Sequence, residues 1–120
     1  MSDLQSSMRR GEVLEALERV VAARKGEAPE KSYTARLLAG GVPRIGGKVT
    51  EEAGELVQAA TSETDDRVVA EAADLLYHTL VLLAARDLSL AAVEAELARR
   101  FGVSGLDEKA ARGRTAGGAT

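Results

Sequence analysis

Apolar residues recur every three or four positions over most of the chain, which is the spacing that places side chains on one face of an α-helix. Alternating, valine-rich stretches typical of strands are absent, and alanine and leucine, both strong helix formers, are abundant. We therefore expect an all-α protein, a bundle of four to five helices. The predicted helices cover approximately residues 12–25, 33–39, 44–61, 65–86 and 90–100, with Ser32 and Ser89 as N-caps and Gly40–Pro43 as the break between the second and third.

The chain is long enough for one domain and too short for two. We expect that domain to cover residues 1–111, with a loosely ordered start at residues 1–10. Residues 112–120 are small, polar and aperiodic, which predicts a disordered C-terminal tail.

The predicted helix at 44–61 carries an acidic stripe beside its apolar face. At 100° per residue, Glu51, Glu52, Glu55 and Lys48 fall on one arc. Like charges one turn apart repel one another, and Lys48 relieves part of that repulsion. The stripe is either a solvated acidic face or a set of ligands. The apolar face beside it consists of Ile45, Val49, Ala53, Leu56, Val57 and Ala60.

The predicted helix at 65–86 is apolar nearly all round, so we expect it to be a buried central helix. Glu71, Asp74 and His78 nevertheless share one arc of it. Burying unpaired carboxylates is costly, so these groups need a partner. Antiparallel packing of the two helices would aim Glu71 and Asp74 at Glu52 and Glu55. Such a set of hard oxygen ligands suits Mg²⁺, with Mn²⁺ as a possible substitute.

Composition excludes several classes of protein. The absence of cysteine rules out disulfides and thiolate–metal sites, and His78 is the only histidine. A net charge of −3 and few aromatic residues argue against a nucleic-acid partner. The uninterrupted apolar stretches are too short for a membrane span and the N-terminus lacks a signal-like apolar region, so we expect a cytoplasmic protein without a membrane partner.

Two motifs, Glu52-x-x-Glu55 and Glu71-x-x-Asp74, resemble those of the all-α nucleotide pyrophosphohydrolases of the MazG type. The sequence around them resembles more narrowly the phosphoribosyl-ATP pyrophosphohydrolase family. That resemblance extends over most of residues 12–112. It rests on the segments Ser32-Tyr33-Thr34, Lys48-Val49-x-Glu51-Glu52, Glu71-Ala72-Ala73-Asp74-Leu75-Leu76-Tyr77-His78 and Arg99-Arg100-Phe101-Gly102-Val103-Ser104-Gly105-Leu106 through Arg112.

The resemblance implies a specific activity. That family hydrolyses N1-(5-phosphoribosyl)-ATP to phosphoribosyl-AMP and pyrophosphate with Mg²⁺, the second step of histidine biosynthesis. It also implies an obligate homodimer whose active sites are bordered by both subunits. The family is often fused to a cyclohydrolase whose zinc site uses cysteines. We expect this chain to act alone and to pass its product to a separate cyclohydrolase.

Several roles stay open at this point. The general base is one of Glu51, Glu52, Glu55, Glu71 and Asp74. Tyr33 either packs on the bundle or contacts substrate, and Lys48 either neutralises the acids or binds phosphate. His78 is better explained as a hydrogen-bonding residue behind the site than as a ligand. Lys109 and Arg112 are either solvated charges beyond the last helix or substrate-binding residues, Lys109 on a lid over the site.

Two other functions compete with this interpretation. The first is a related MazG-type enzyme that acts on a free nucleoside triphosphate. The second is a non-catalytic helical dimer module whose acids only solvate a groove. This second hypothesis predicts neither Mg²⁺ binding nor pyrophosphate release.

Overall fold

A computed structural model describes residues 9–102 of the chain. Within that range the secondary structure is helical and contains no strand, so the predicted all-α fold is confirmed. The predictions for the tail at 112–120, for Lys109 and for Arg112 lie outside the described residues, as do residues 1–8. The elements are α1 (Glu12–Arg24), a single 3₁₀ turn (Pro29–Lys31), α2 (Tyr33–Ser62), α3 (Asp65–Ala85) and α4 (Leu90–Phe101).

The break predicted at Gly40–Pro43 is present but is confined to one residue. α2 runs for 30 residues, and only Gly41 leaves helical geometry, with φ 79° and ψ −176°. This region of backbone space is essentially restricted to glycine. Pro43 follows two residues later, near the start of the second helical segment, where a missing N–H costs little. The two predicted helices are therefore joined by a kink rather than by a linker.

Short polar side chains define the helix starts. Ser32 Oγ accepts a hydrogen bond from the Ala35 amide at 3.0 Å and fixes the beginning of α2. Thr64 does the same for α3, and Ser89 for α4. Each cap satisfies an amide that has no partner inside its helix, a contribution of about 1 kcal/mol.

The end of α3 is tied to the end of α1. Asp87 adopts a left-handed conformation, with φ 58°, just after the helix. Lys25, which follows α1, donates from Nζ to the Ala84 carbonyl oxygen at 2.7 Å and pairs with Asp87 Oδ1 at 2.5 Å. A cation at the carbonyl end of a helix is favourable because the helix dipole is negative there.

The core lies where α1, α2 and α3 meet. Val21 of α1, Leu37 and Ile45 from either side of the α2 kink, and Val81 of α3 are fully buried in one cluster. Since the cluster draws on both segments of α2, the kink is held by core packing. Further partly buried residues that pack against it are Leu17, Leu38, Val49, Tyr77, Leu82, Ala84 and Ala85.

The prediction that α3 is buried all round is wrong for the single chain. Part of its apolar surface is turned outward, and Val69 is 69% exposed and Leu76 50% exposed. The face that packs inward carries Glu71 and His78 as well as Leu80 and Val81. On α2, Val57 is likewise exposed although the pattern assigned it to the core, as is Ala60, while Ala59 is buried. α2 and α3 thus bury acidic side chains beside their shared apolar core, and part of the apolar surface of each helix stays exposed.

α4 belongs to a separate compact unit that begins at Ser89. Arg99 and Arg100 both pair with Glu96 on the same helix. These pairs are exposed and contribute little to stability.

α3 is also long and apolar enough, by length and composition alone, to cross a membrane. The core helix of a water-soluble protein passes the same test. Glu71 and His78 on this helix are buried against protein, as expected of a helix that packs inside a fold.

Replacing Gly41 by alanine should lower the free energy of unfolding by about 1–3 kcal/mol, because alanine is strained at this φ and ψ. A Cβ there would meet only Pro43 Cδ at 3.8 Å, so the cost comes from the backbone and not from a clash. Urea denaturation measures the change. Gly47→Ala is the matched control, since this helical glycine has nothing within 4 Å of a built Cβ. It should instead stabilise by about 0.5–1 kcal/mol. Equal effects of the two substitutions would contradict the role given to the kink.

Candidate functional site

Five carboxylates predicted from the sequence meet where α2 packs on α3. One oxygen from each of Glu52, Glu71 and Asp74 lies within 4.8 Å of the others. A second group on α2 consists of Glu51, Glu52 and Glu55, with the same mutual spacing. Glu52 belongs to both groups. We call these five residues the carboxylate cluster.

Burial divides the carboxylate cluster into two kinds of group. Glu52 and Glu71 are 6% and 5% exposed, whereas Glu51, Glu55 and Asp74 are exposed. Oε1 of Glu52 and Oε1 of Glu71 have no hydrogen-bond partner. Buried polar atoms are nearly always hydrogen-bonded, and an orphaned one costs about 1–3 kcal/mol. Two such atoms at one point indicate that a ligand completes their bonding.

The electrostatics of the cluster indicate the sign of that ligand. Burial raises the pKa of Glu52 above its ordinary value, and the neighbouring Glu71 and Asp74 raise it further. The charge of Glu52 is the main cause of a raised pKa at Glu55. The negative charges that raise the pKa values of Glu52 and Glu55, and so favour their protonation, would also attract a cation.

Two basic side chains contact the cluster from its edges. Lys48 Nζ lies 3.3 Å from Glu51 Oε1 and 3.9 Å from Glu52 Oε2, and its hydrogen bond to Glu51 is the main cause of its raised pKa. Arg67 Nη2 pairs with Glu71 Oε2. The sequence interpretation missed Arg67, although it lies four residues before Glu71 on the same helix, a spacing at which opposite charges meet.

The oxygens of the carboxylate cluster fit a divalent cation. The donors are all carboxylate oxygens, which Mg²⁺ and Mn²⁺ prefer, and two of them are buried without partners. Lys48 and Arg67 occupy other oxygens, so the Oε1 atoms of Glu52 and Glu71 remain available.

His78 takes no part in the carboxylate cluster. Its Nδ1 lies 2.8 Å from the backbone carbonyl oxygen of Asp74, and its Nε2 lies 3.0 Å from the hydroxyl oxygen of Tyr33. Both ring nitrogens are thus used in hydrogen bonds to protein. Tyr77 packs against the same ring with a centroid separation of 4.8 Å, and its hydroxyl bonds to Thr34 Oγ1. The hydrogen bond between Tyr33 and His78 therefore links the start of α2 to α3.

Comparison with known proteins identifies the chain's relatives. The model of the phosphoribosyl-ATP pyrophosphohydrolase family matches residues 14–101. The chain belongs to that family.

Three relatives illustrate the similarity, and each is named phosphoribosyl-ATP pyrophosphatase. The protein from Trichlorobacter lovleyi is 56% identical over 100 residues, covering 83% of this chain and 93% of the relative. The protein from Erythrobacter litoralis is 55% identical over 83% of this chain and 96% of its own length. The protein from Parvibaculum lavamentivorans is 58% identical over 83% and 92%, respectively. The family match covers both helices that carry the carboxylate cluster.

Replacing Glu52 by glutamine should stabilise the metal-free protein by on the order of 1 kcal/mol, a shift of a few degrees in melting temperature. The amide keeps the shape of the side chain but removes a buried charge from beside Glu71 and Asp74. Thermal unfolding in the presence of a chelator measures the difference. Glu51→Gln is the matched control, since Glu51 is exposed and paired with Lys48. That variant should be neutral or slightly destabilising.

The pH dependence of stability provides a second test of the Glu52→Gln substitution. A carboxyl whose pKa is raised by folding binds its proton more tightly in the folded state. Its stabilising contribution is therefore complete below its ordinary pKa of 4.5 and is lost as the pH rises through the raised value. The gain from Glu52→Gln should accordingly be small at acidic pH and grow toward neutral pH. A gain that shrinks as the pH rises would contradict this assignment.

Proposed function

We propose that this chain hydrolyses N1-(5-phosphoribosyl)-ATP to phosphoribosyl-AMP and pyrophosphate, by attack of water at the linkage between the α- and β-phosphates. The observation that carries the proposal is the pair of buried, unpartnered Oε1 atoms of Glu52 and Glu71. They lie in a chain more than half identical to proteins named phosphoribosyl-ATP pyrophosphatase.

Glu52, Glu55, Glu71 and Asp74 would hold Mg²⁺, or Mn²⁺ in its place. When bound, the ion offsets the negative charge of the phosphate oxygens and makes a coordinated water more acidic. Without a cation, the carboxylate cluster would repel a polyphosphate. The negative charge of the carboxylate cluster and that of the substrate therefore both require a cation.

The exposure of each carboxylate suggests its role in the reaction. Glu52 and Glu71 are buried, so their carboxylates stay in fixed positions. Glu51, Glu55 and Asp74 reach solvent, and the proton released by the attacking water passes to one of these three. This narrows the choice of general base from five residues to three.

The basic and aromatic residues at the rim bind the substrate. Lys48 is partly exposed beside Glu51 and supplies a point charge for a phosphate. Tyr33 is 40% exposed, and its hydroxyl bonds to His78, one helical turn beyond Asp74. We also retain Lys109 and Arg112, which lie beyond the described residues, as phosphate-binding candidates.

We propose that the active form is a homodimer. Val69 and Leu76 lie two turns apart on the outward face of α3 and are among the exposed large hydrophobic residues. An apolar helix face of this kind is usually covered by protein. A symmetric dimer that pairs the long helices of two chains would cover it and would complete the bundle.

The reaction would be the second step of histidine biosynthesis and would take place in the cytoplasm, where nucleotide substrates are made. We propose that the product passes to a cyclohydrolase that lies outside these 120 residues. No cysteine is available within them for that enzyme's type of zinc site.

Pyrophosphate release from phosphoribosyl-ATP, measured with and without Mg²⁺, tests the proposed function. We expect release with Mg²⁺ and almost none in the presence of a chelator. Release from ATP or another common nucleoside triphosphate, and not from phosphoribosyl-ATP, would favour the related enzyme class. Absence of release from every nucleotide, together with no stabilisation by Mg²⁺, would favour the non-catalytic module.

Replacing Asp74 by asparagine should lower kcat by about 100-fold or more, since the variant loses one of the carboxylates that would hold the cation against the reacting phosphates. The rise in melting temperature caused by Mg²⁺ should shrink at the same time. Asp66→Asn is the matched control on the same helix, because Asp66 is exposed in the first turn of α3 and outside the carboxylate cluster. Full activity of Asp74→Asn would rule out the assigned site.

Replacing Leu76 by glutamate should convert the dimer to monomer and lower the melting temperature, because a charge would be buried in the pairing face. Light scattering at micromolar concentration should give about twice the chain mass of 12.6 kDa for the unmodified protein. Leu97→Glu is a control, since Leu97 is exposed on α4 instead. A folded 12.6 kDa monomer of the unmodified chain would be incompatible with the proposed dimer.

A further inference from the structure

The hydrogen bonds of His78 determine where its ring protons lie. Nδ1 is 2.8 Å from the carbonyl oxygen of Asp74, one helical turn earlier. A carbonyl oxygen only accepts hydrogen bonds, so Nδ1 must carry a proton. Nε2 then faces the Tyr33 hydroxyl at 3.0 Å.

The two ring nitrogens of His78 have only neutral partners. His78 is 5% exposed, and within residues 9–102 no carboxylate pairs with either nitrogen. In the neutral ring with a proton on Nδ1, Nε2 is an acceptor. The Tyr33 O–H must therefore donate to it.

Other contacts keep the Tyr33 ring in place. It stacks on Tyr77 with a centroid separation of 6.4 Å and an interplanar angle of 26°. The Arg36 guanidinium lies 5.8 Å from the ring centroid. Tyr33 nevertheless remains 40% exposed, so the residue is both fixed in position and accessible.

Tyr33 lies at the rim of the carboxylate cluster. Its hydroxyl bonds to His78, whose Nδ1 in turn bonds to the backbone carbonyl oxygen of Asp74, a member of that cluster. A phenol whose hydrogen is given to His78 has only lone pairs left to offer to another molecule. Phosphate oxygens are acceptors themselves, so such a phenol suits a different part of a nucleotide.

We propose that His78 is a positioning residue that turns the Tyr33 hydroxyl hydrogen inward, so that the phenol oxygen accepts a hydrogen bond from a hydroxyl or amino group of the substrate and not from its phosphate end. The inference rests on the proposed function for the identity of the substrate. The hydrogen-bond arrangement itself does not depend on that function. Tyr33 would then recognise the sugar or base, while Lys48 and the carboxylate cluster handle the phosphates.

The tautomer of His78 can be measured without any activity. Since His78 is the only histidine, ¹⁵N-labelled protein gives a single imidazole in long-range proton–nitrogen NMR spectra. We expect the Nδ1–H tautomer near neutral pH, and a shift of the Nε2 resonance in Tyr33→Phe. Tyr77→Phe is the matched control, because the Tyr77 ring packs against the same histidine but its hydroxyl bonds to Thr34 and not to His78. The Nε2–H tautomer, an imidazolium, or equal shifts in both variants would overturn the proposal.

Steady-state kinetics test the consequence for binding. Tyr33→Phe should raise KM for phosphoribosyl-ATP by about 5- to 10-fold, as for the loss of one hydrogen bond, with little change in kcat. The inhibition constant of inorganic pyrophosphate should be the same for Tyr33→Phe as for the unmodified chain. His78→Gln should raise KM similarly, and the double variant should add little, since the two residues act through one hydroxyl.

The remaining outcomes separate this inference from the proposed function. A parallel loss of pyrophosphate affinity, additive effects in the double variant, or an equal rise in KM for Tyr77→Phe would overturn the assignment of Tyr33. If the unmodified chain does not hydrolyse phosphoribosyl-ATP, the proposed function and the substrate-binding role fail together. The NMR result would still decide whether His78 orients the phenol.

Discussion

The packing of α2 on α3 is built around two buried acids, Glu52 and Glu71. Their helices pack closely enough to bury both groups, yet no protein donor reaches either Oε1 atom. Two charges in this arrangement oppose folding unless a proton or a cation joins them. Lys48 and Arg67 offset only part of this negative charge, because they contact the Oε2 atoms of Glu52 and Glu71 and not the Oε1 atoms. Without a proton or a cation, the centre of the site therefore lowers the stability of the fold.

The fold around this point holds the two helices together in spite of their acids. Core residues from both segments of kinked α2 pack on α3, and the left-handed glycine at 41 lets one continuous element supply both. The same kink allows Tyr33, at the start of α2, to meet His78 of α3. One backbone distortion therefore serves the core, the carboxylate cluster and the aromatic contact at its rim.

Helical periodicity and capping residues were enough to predict the helices, and two spaced acid pairs were enough to predict the carboxylate cluster. Periodicity did not reveal which face of α3 turns inward, because Val69 and Leu76 look like core positions in a single sequence. Acidic side chains pack inward here against other acids, an arrangement that periodicity does not predict. Arg67 was missed for a related reason, since its role depends on the burial of Glu71 and not on its own surroundings.

We expect the carboxylate cluster to bind a divalent cation in competition with protons. Isothermal titration calorimetry of the metal-free protein with Mg²⁺, in buffers of different ionisation enthalpy, measures this competition. Metal binding to a carboxyl whose pKa is raised releases protons at mildly acidic pH. The binding should be saturable, its heat should depend on the buffer, and the proton release should be reduced in Glu52→Gln. Absence of saturable Mg²⁺ binding, or binding that Glu52→Gln leaves unchanged, would contradict it.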